Sequence, residues 1–493
     1  MPERATPSRR RSEESAEAIV GGETAEGPNV RKGKTPGGLD PVMAQKSVQL
    51  ELPFKSRGEA PRVERSEQTE SATVGNASPG MGLLLEKALE RPNLLRALQR
   101  VKQNRGSPGS DGMTVDELPD HLRACWPTLR EQLLTGRYQP QPVRRCEIPK
   151  PGGGKRELGI PTVLDRFLQQ ALLQVLQPLF DGSFSEHSHG FRPGRRAHDA
   201  VCEARRYVQS GKRWVVDVDL EKFFDRVNHD VLMSRLARRI ADKRVLGLIR
   251  RYLTAGVMAD GVVTERHEGT PQGGPLSPLL ANVLLDEVDQ ELERRGHAFV
   301  RYADDLRVYV GSRRAGQRVM DSLIRLFGKL RLTVSLAKSA VDRAWNRPFL
   351  GFAFWVAKEG RVAVRIAAKS IAKMKARVRL LTQRNCGRSL VQITKALRSY
   401  LLGWKGYFGL AETPRMLREL DEWIRHRLRA IQLKHWKRGR TVYRELVARG
   451  ISSAKAAQVA ANARRWWKNS AMALHIALPT SYFDGLGVPR LAS

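Results

Sequence analysis

Apolar and polar positions change period several times along the chain, and each change marks an element. From Gly82, Leu83, Leu84, Leu85, Ala88 and Leu89, then Leu94, Leu95, Leu98 and Val101, recur at spacings of three and four. This predicts helices, closed by a loop at 104–112 rich in Gly, Ser and Asn. Residues 213–220 form a β-branched run that carries Asp217 and Asp219. Phe299 to Val310 alternates on both sides of two adjacent acids, the pattern of a β-hairpin with the acids at its turn. Leu279, Leu280, Val283 and Leu284 read as a helix after a Gly- and Pro-rich loop. Past 362 the pattern is helical: Ile366, Ile371, Met374, Val378 and Leu381 form one stripe, and Leu397, Tyr400, Leu401 and Trp404 a second. Thr413 reads as an N-cap with Pro414 at the first helical position. The helix that follows carries Leu417, Leu420, Trp423, Ile424, Leu428 and Ile431 on one side and Arg418, Arg425 and Arg429 on another. Residues 1–80 have one aromatic, Phe54, and too little apolar surface to offset ordering, so they are expected to be mostly disordered, with 49–54 as a candidate docking segment.

The acids change the picture. Asp217 and Asp219 are two apart, so in a strand they face the same side. A central strand rarely carries charge on a packed face unless the charge is paired or binds metal. Asp304 and Asp305 at a hairpin tip could meet them there. Carboxylates converging from neighbouring strands suit two Mg²⁺ ions about 3.5–4 Å apart, one activating a hydroxyl and one stabilising leaving pyrophosphate. That chemistry is nucleotidyl transfer.

The run Val216-Asp217-Val218-Asp219-Leu220-Glu221-Lys222-Phe223-Phe224-Asp225, with Tyr302-Ala303-Asp304-Asp305, resembles the catalytic core of a reverse transcriptase. More closely, the chain resembles the reverse transcriptase and maturase proteins encoded by bacterial group II introns, over residues from about 81 to 450. Residues 146–161 are similar to the family's fingers hairpin, 190–200 to its next block, and 269–278 to its template- and nucleotide-binding loop. The five motifs stand in family order.

The resemblance implies an α+β right-hand polymerase fold: fingers and palm at 81–362, a helical thumb (domain X) at 363–445 and a basic DNA-binding-like tail at 446–493. It places Asp219, rather than Asp217, with Asp304 and Asp305 as the catalytic acids, and puts two Mg²⁺ at Val218, Asp219, Asp304 and Asp305. It assigns the nucleotide to Lys155 and Arg156 of the fingers, Phe224 as the aromatic that excludes a 2′-hydroxyl, Gln272, and Lys338 beside the leaving pyrophosphate. A solvated role for Lys155 stays open. Phe349-Leu350-Gly351-Phe352 resembles the primer-grip hairpin. Arg192, Arg195, Arg418, Arg425, Arg429, Arg464 and Arg465 are the expected RNA and DNA contacts; Trp466 and Trp467 could stack on bases or anchor the tail. The implied partners are group II intron RNA, a DNA target and primer, and dNTPs. The alternatives are a splicing factor without polymerase activity and a reverse transcriptase outside introns, of a defence type.

Net charge is +35, which argues for a polyanionic partner, and its distribution is lopsided. Residues 361–493 hold 28 Lys/Arg against 6 Asp/Glu, whereas 1–80 are neutral. Cys125, Cys146, Cys202 and Cys386 are scattered, as reduced thiols in a bacterial cytosol would be. No signal peptide or membrane span is expected. No Cys follows Cys386 and the late His residues lack ligand spacing, so no HNH endonuclease is expected, as in the endonuclease-free, group IIC-like lineage.

Overall fold

The computed structural model describes residues 83–149, 155–259, 261–357, 359–385, 387–471 and 474–492. The disorder expected of 1–80, the segment at 49–54, the Gly-rich turn at 151–154 and the side chain of Arg156 lie outside the described residues.

The chain runs through α1 (Leu84–Ala88), α2 (Arg91–Asn104), α3 (Leu118–Leu134), β1 (Val143–Pro149), β2 (Lys155–Ile160), α4 (Val163–Asp181), α5 (Ala197–Gln209), β3 (Trp214–Val218), α6 (His229–Ala237), α7 (Lys243–Thr254), β4 (Val257–Ala259), β5 (Val262–Thr264) and α8 (Ser277–Arg294). It continues with β6 (Ala298–Tyr302), β7 (Asp305–Val310), α9 (Arg313–Lys329), β8 (Ala340–Arg343), β9 (Phe352–Val356) and β10 (Val362–Ile366). Helix α2 lies where the spacing puts it, but its inward face differs. Asn93, Ala97 and Val101 are buried, while Leu95 is 55% exposed. Asn93 sets this rotation by donating from Nδ2 to the carbonyls of Ala88 (2.8 Å) and of Ala171 on α4 (3.0 Å). A periodicity read from leucines alone does not show a polar anchor.

Strands β1 and β2 form the expected antiparallel hairpin, widened into a sheet of order β2-β1-β4-β5. A second sheet has the order β6-β7-β3-β8, with all its neighbours antiparallel. Alternation along its strands divides the core. Val216, Val218, Phe299, Leu306, Val308 and Val310 join one hydrophobic cluster with α4, α6, α7, α8 and α9. Val215, Val300 and Tyr309 join another with α5 and the C-terminal elements. Asp217, Arg307 and Asp305 have the parity of this second face.

The C-terminal part holds α10 (Ala368–Leu381), α11 (Leu390–Phe408), α12 (Pro414–Trp436), α13 (Gly439–Val447), α14 (Ser453–Ala461), α15 (Trp466–Ala471), α16 (Leu474–Ala477) and α17 (Thr480–Gly485). The three thumb helices expected from their stripes are present. Ile366, read as helical, instead ends β10, because Val362, Val364 and Ile366 alternate and pair with β9. The boundary expected after 362 therefore cuts a strand. The boundary expected after 445 cuts α13. Leu446, Val459, Leu474, Phe483 and Leu491 pack into the same cluster as Ile424, Leu428 and Ile431 of α12, so the tail shares the thumb's core. Thr413 and Pro414 take the N-cap and first positions of α12, but the Thr413 side chain accepts no capping bond. Among the described residues, no helix is long and apolar enough to cross a membrane.

Candidate active site

The hairpin of β6 and β7 turns at the acids, as the pattern predicts. Tyr302 pairs with Asp305, leaving Ala303 and Asp304 as a two-residue turn with Ala303 at φ 59°. Next to it, β3 pairs with β7 so that Asp217 faces Arg307 and Val218 faces Leu306. Continued by one residue, this register brings Asp219 opposite Asp305. Asp219 is fixed through its backbone: its N–H donates to Ser339 Oγ (3.0 Å) and its carbonyl accepts from Ser335 N (2.8 Å). Its carboxylate meets Lys338 Nζ at 3.2 Å. Val218 is buried and could offer a cation only its carbonyl.

The electrostatics follow from this crowding. Burial raises the Asp305 carboxyl first, and Asp217, Asp304 and Asp219 raise it further against the pull of Arg307, to about 6. A hard divalent cation suits such a cluster, because its ligands are carboxylate oxygens. Among the described residues, no three Asp, Glu, His or Cys side chains are grouped closely enough to cage a metal as they stand. The donor chemistry fits a divalent cation; the rotamers are those of a site whose Asp219 is paired with a lysine.

Asp217 is not part of that donor set. It is nearly buried and takes Arg307 Nη2 at 3.2 Å on one oxygen and Arg347 Nη2 at 2.6 Å on the other. Arg307 also donates to the carbonyls of Arg347 and Pro348 and stacks over Phe349, 4.7 Å from its centroid. The pair thus ties β3 and β7 to the hairpin at 349–352, where Phe349 bridges Phe352 around Leu350 and Gly351, both at positive φ. Arg307 and Arg347 were missed by sequence reasoning. The signal for Arg307 was its two-residue spacing from Asp305 on a strand; nothing in the sequence marked Arg347.

Residues expected around a nucleotide gather at the same end. Phe223 is buried and Phe224 half-buried, their rings edge-on at 5.1 Å, which fits a core role for the first and an accessible one for the second. The Phe224 carbonyl accepts from Thr270 N at 2.7 Å, joining it to the 269–278 loop. Gly269 has φ +88°, and a Cβ there would lie 2.8 Å from the Asp225 carbonyl oxygen, so only glycine allows this approach. Gln272 Nε2 lies 3.5 Å from Asp225 Oδ1. Lys155 is exposed and paired with Glu147 across the hairpin at 2.5 Å, so any phosphate there must displace Glu147.

The basic residues divide. Arg192, expected to contact nucleic acid, is buried; it pairs with Asp181 and donates to the carbonyls of Asp181, Ser185 and Ser188. Arg195 pairs with Glu186. Arg425 is 1% exposed and joins Asp421, Asp484 and the Pro489 carbonyl, stapling α12 to the tail. Arg429 donates to the Leu478 carbonyl at 2.9 Å and lies over Phe483. The helix face expected to meet RNA meets the tail instead. Arg418, Arg464 and Arg465 are exposed. Trp466 is flanked by Arg384 and Lys434, an anchor, while Trp467 stays 49% exposed beside His426.

Residues 148–354 match the reverse transcriptase (RNA-dependent DNA polymerase) family, and 371–450 match the group II intron, maturase-specific domain. The chain is 36% identical over 236 residues to protein YkfC of Escherichia coli (strain K12), covering 46% of this chain and 62% of that protein. It is 36% identical over 208 residues to the group II intron-encoded protein LtrA of Lactococcus lactis subsp. cremoris, covering 42% of this chain and 34% of LtrA. It is also 34% identical over 201 residues to the putative COX1/OXI3 intron 1 protein of Saccharomyces cerevisiae, covering 41% and 24%. The chain thus spans from a quarter to about three fifths of these relatives. Among solved structures, a partial Cas6-RT-Cas1–Cas2 complex matches at 26% identity and TM-score 0.33, over 50% of this chain and 42% of that one. The chain thus carries a reverse transcriptase domain followed by a group II intron maturase-specific domain, and is similar in the first to group II intron-encoded proteins.

Proposed function

We propose that the chain is an RNA-directed DNA polymerase that copies its intron RNA, and a maturase that binds that RNA to promote splicing. The observation that carries the reading is the position of Asp219 and Asp305, each one residue beyond the paired Val218 and Leu306 and next to the Asp304 turn, inside the matched reverse transcriptase domain.

Reverse transcriptase domains use divalent metal ions. We assign two Mg²⁺ to Asp219, Asp304, Asp305 and the Val218 carbonyl; bound there, they would lower the charge on the triphosphate and activate the primer 3′-hydroxyl. The protein's own groups do the rest. Phe224 packs under the sugar and excludes a 2′-hydroxyl. Gln272 and the bare backbone of the 269–278 loop hold the base pair. Lys155 approaches the triphosphate from the fingers once it leaves Glu147. Lys338, released from Asp219, stands ready to protonate the departing pyrophosphate. The intron RNA and the template–primer duplex lie against the exposed cations of the C-terminal part, Arg418, Arg464 and Arg465, and Lys369 and Lys373 of α10 are exposed as well.

Primer extension on an RNA template with Mg²⁺ and dNTPs, comparing the native chain with Asp304→Ala, tests this. Synthesis by the native chain alone is expected. No synthesis by either, with tight RNA binding kept by both, would leave a splicing factor on a silent polymerase scaffold.

A further inference from the structure

Asp304 stands in a turn whose shape its sequence does not favour. Ala303 has φ 59°, a conformation that residues with a Cβ seldom adopt, so the surroundings must hold it. Two features do so. The first is Gly190: a Cβ there would lie 2.1 Å from Ala303 N, so the chain presses bare backbone against the turn. The second is Arg301. Its Nη1 donates to the Ala303 carbonyl at 2.9 Å and to Asn282 Oδ1 at 2.9 Å, while Nε and Nη2 bind Asp289 at 2.8 and 2.5 Å. Asn282 closes the circuit by donating from Nδ2 to the Gly190 carbonyl at 3.0 Å.

We propose that Arg301, Asn282 and Asp289 form a buried positioning device that aims the Ala303–Asp304 turn, and so sets where a divalent cation can bind. The inference rests on the reverse transcriptase reading of those acids. Arg301 is 1% and Asp289 0% exposed, and both belong to the side of the sheet that packs α8. Arg301 therefore reaches the site only through a backbone carbonyl and touches no substrate. A buried ion pair is weak support for stability compared with apolar packing of the same volume, so stability alone does not account for it. Its particular property is direction: the planar guanidinium reaches three acceptors at fixed angles, which a lysine's single nitrogen cannot do. The same strand is locked from its edge. Arg301 N donates to the His187 carbonyl and His189 N to the Arg301 carbonyl, both at 2.9 Å, and this pairing delivers Gly190 to the turn.

The test uses the full chain carrying Arg301→Lys, with three readouts: thermal melting, steady-state primer extension, and Mn²⁺ binding followed by electron paramagnetic resonance, which needs no synthesis. A cooperative melt near that of the native chain is expected. Mn²⁺ affinity should weaken and kcat fall by about 10–100-fold each, with the KM for dNTP and the Kd for template–primer within about twofold. Higher Mg²⁺ should restore part of the rate. Native Mn²⁺ affinity in Arg301→Lys would overturn the proposal. So would equal losses in kcat, KM and template affinity that track unfolding. If Arg301→Lys does not fold, Asn282→Ala keeps the ion pair and removes the link to Gly190; a several-fold weaker Mn²⁺ affinity supports the proposal, and no change overturns it. If the native chain makes no DNA but Arg301→Lys still weakens Mn²⁺ binding, the polymerase reading fails and the positioning device stands.

Discussion

The acids of the palm and the arginines of α12 were read from the sequence by the same reasoning, and the structure treats them differently. In the palm, charge on a strand end stays at the strand end. The register that pairs Val218 with Leu306 leaves Asp219 and Asp305 each one residue beyond that pair. On α12, an arginine stripe opposite an apolar stripe looks like a solvated face, yet Arg425 and Arg429 face a second layer of protein. A strand's partners fix both of its faces; a helix's free side is known only when everything that packs on it is known. The lesson is that charge spacing locates a site where hydrogen-bonded register constrains it and misleads where only packing does.

The sharpest break of this comparison is at the acids. Asp304→Ala should lower primer extension by at least about 10³-fold while leaving melting and RNA affinity near native; a parallel loss of RNA binding would make the residue structural. On the other side, Arg425→Ala should destabilise the chain by about 3–5 kcal/mol, because Asp421 and Asp484 lose their buried partner. Denaturant melts read this, and a native midpoint with weakened RNA binding would restore the arginine to the RNA surface. Phe224→Ala should reduce discrimination against ribonucleotides by about 10–100-fold in competition assays; unchanged selectivity removes its gating role.

A smaller effect comes from pH. Asp305 is raised to about 6 in the fold, so folding retains a proton that the unfolded carboxyl releases near pH 4. Stability of the metal-free chain should therefore decline as pH rises from about 4 to 6 and stay lower above. Solvent reaching 40% of the side chain keeps this to on the order of 1 kcal/mol. Asp305→Asn should flatten that slope. Metal binding should show the opposite trend, strengthening through the same interval as the carboxylate forms. The mildest change is Arg418→Ala, which should reduce the salt dependence of RNA binding by about one unit of slope and leave melting unchanged.

Much of the fold was legible because its signals are local. The hairpin at Asp304, the helix through Leu279–Leu284 and the start of α12 at Pro414 each follow from period or turn chemistry. The motifs, by their resemblance, brought the acids together across more than eighty residues of intervening chain. What stayed hidden depends on long-range polar contacts. Asn93 turns α2 through carbonyls on two other segments, Arg192 fills a pocket of carbonyls, and Arg347 reaches back to Asp217. None of these leaves a periodic trace. The strand at 362–366 was lost because five residues ending in Ile366 join smoothly to a helical stripe.

The shared core has a mechanical consequence. A clamp that swings needs a slender joint, with few side chains crossing it. Here α5 and the back of the palm sheet interlock with β9, β10 and the helices beyond in one apolar mass, and Glu412 is gripped by Arg205 of α5 and Arg361. Rocking the helices away from the sheet would tear that mass open.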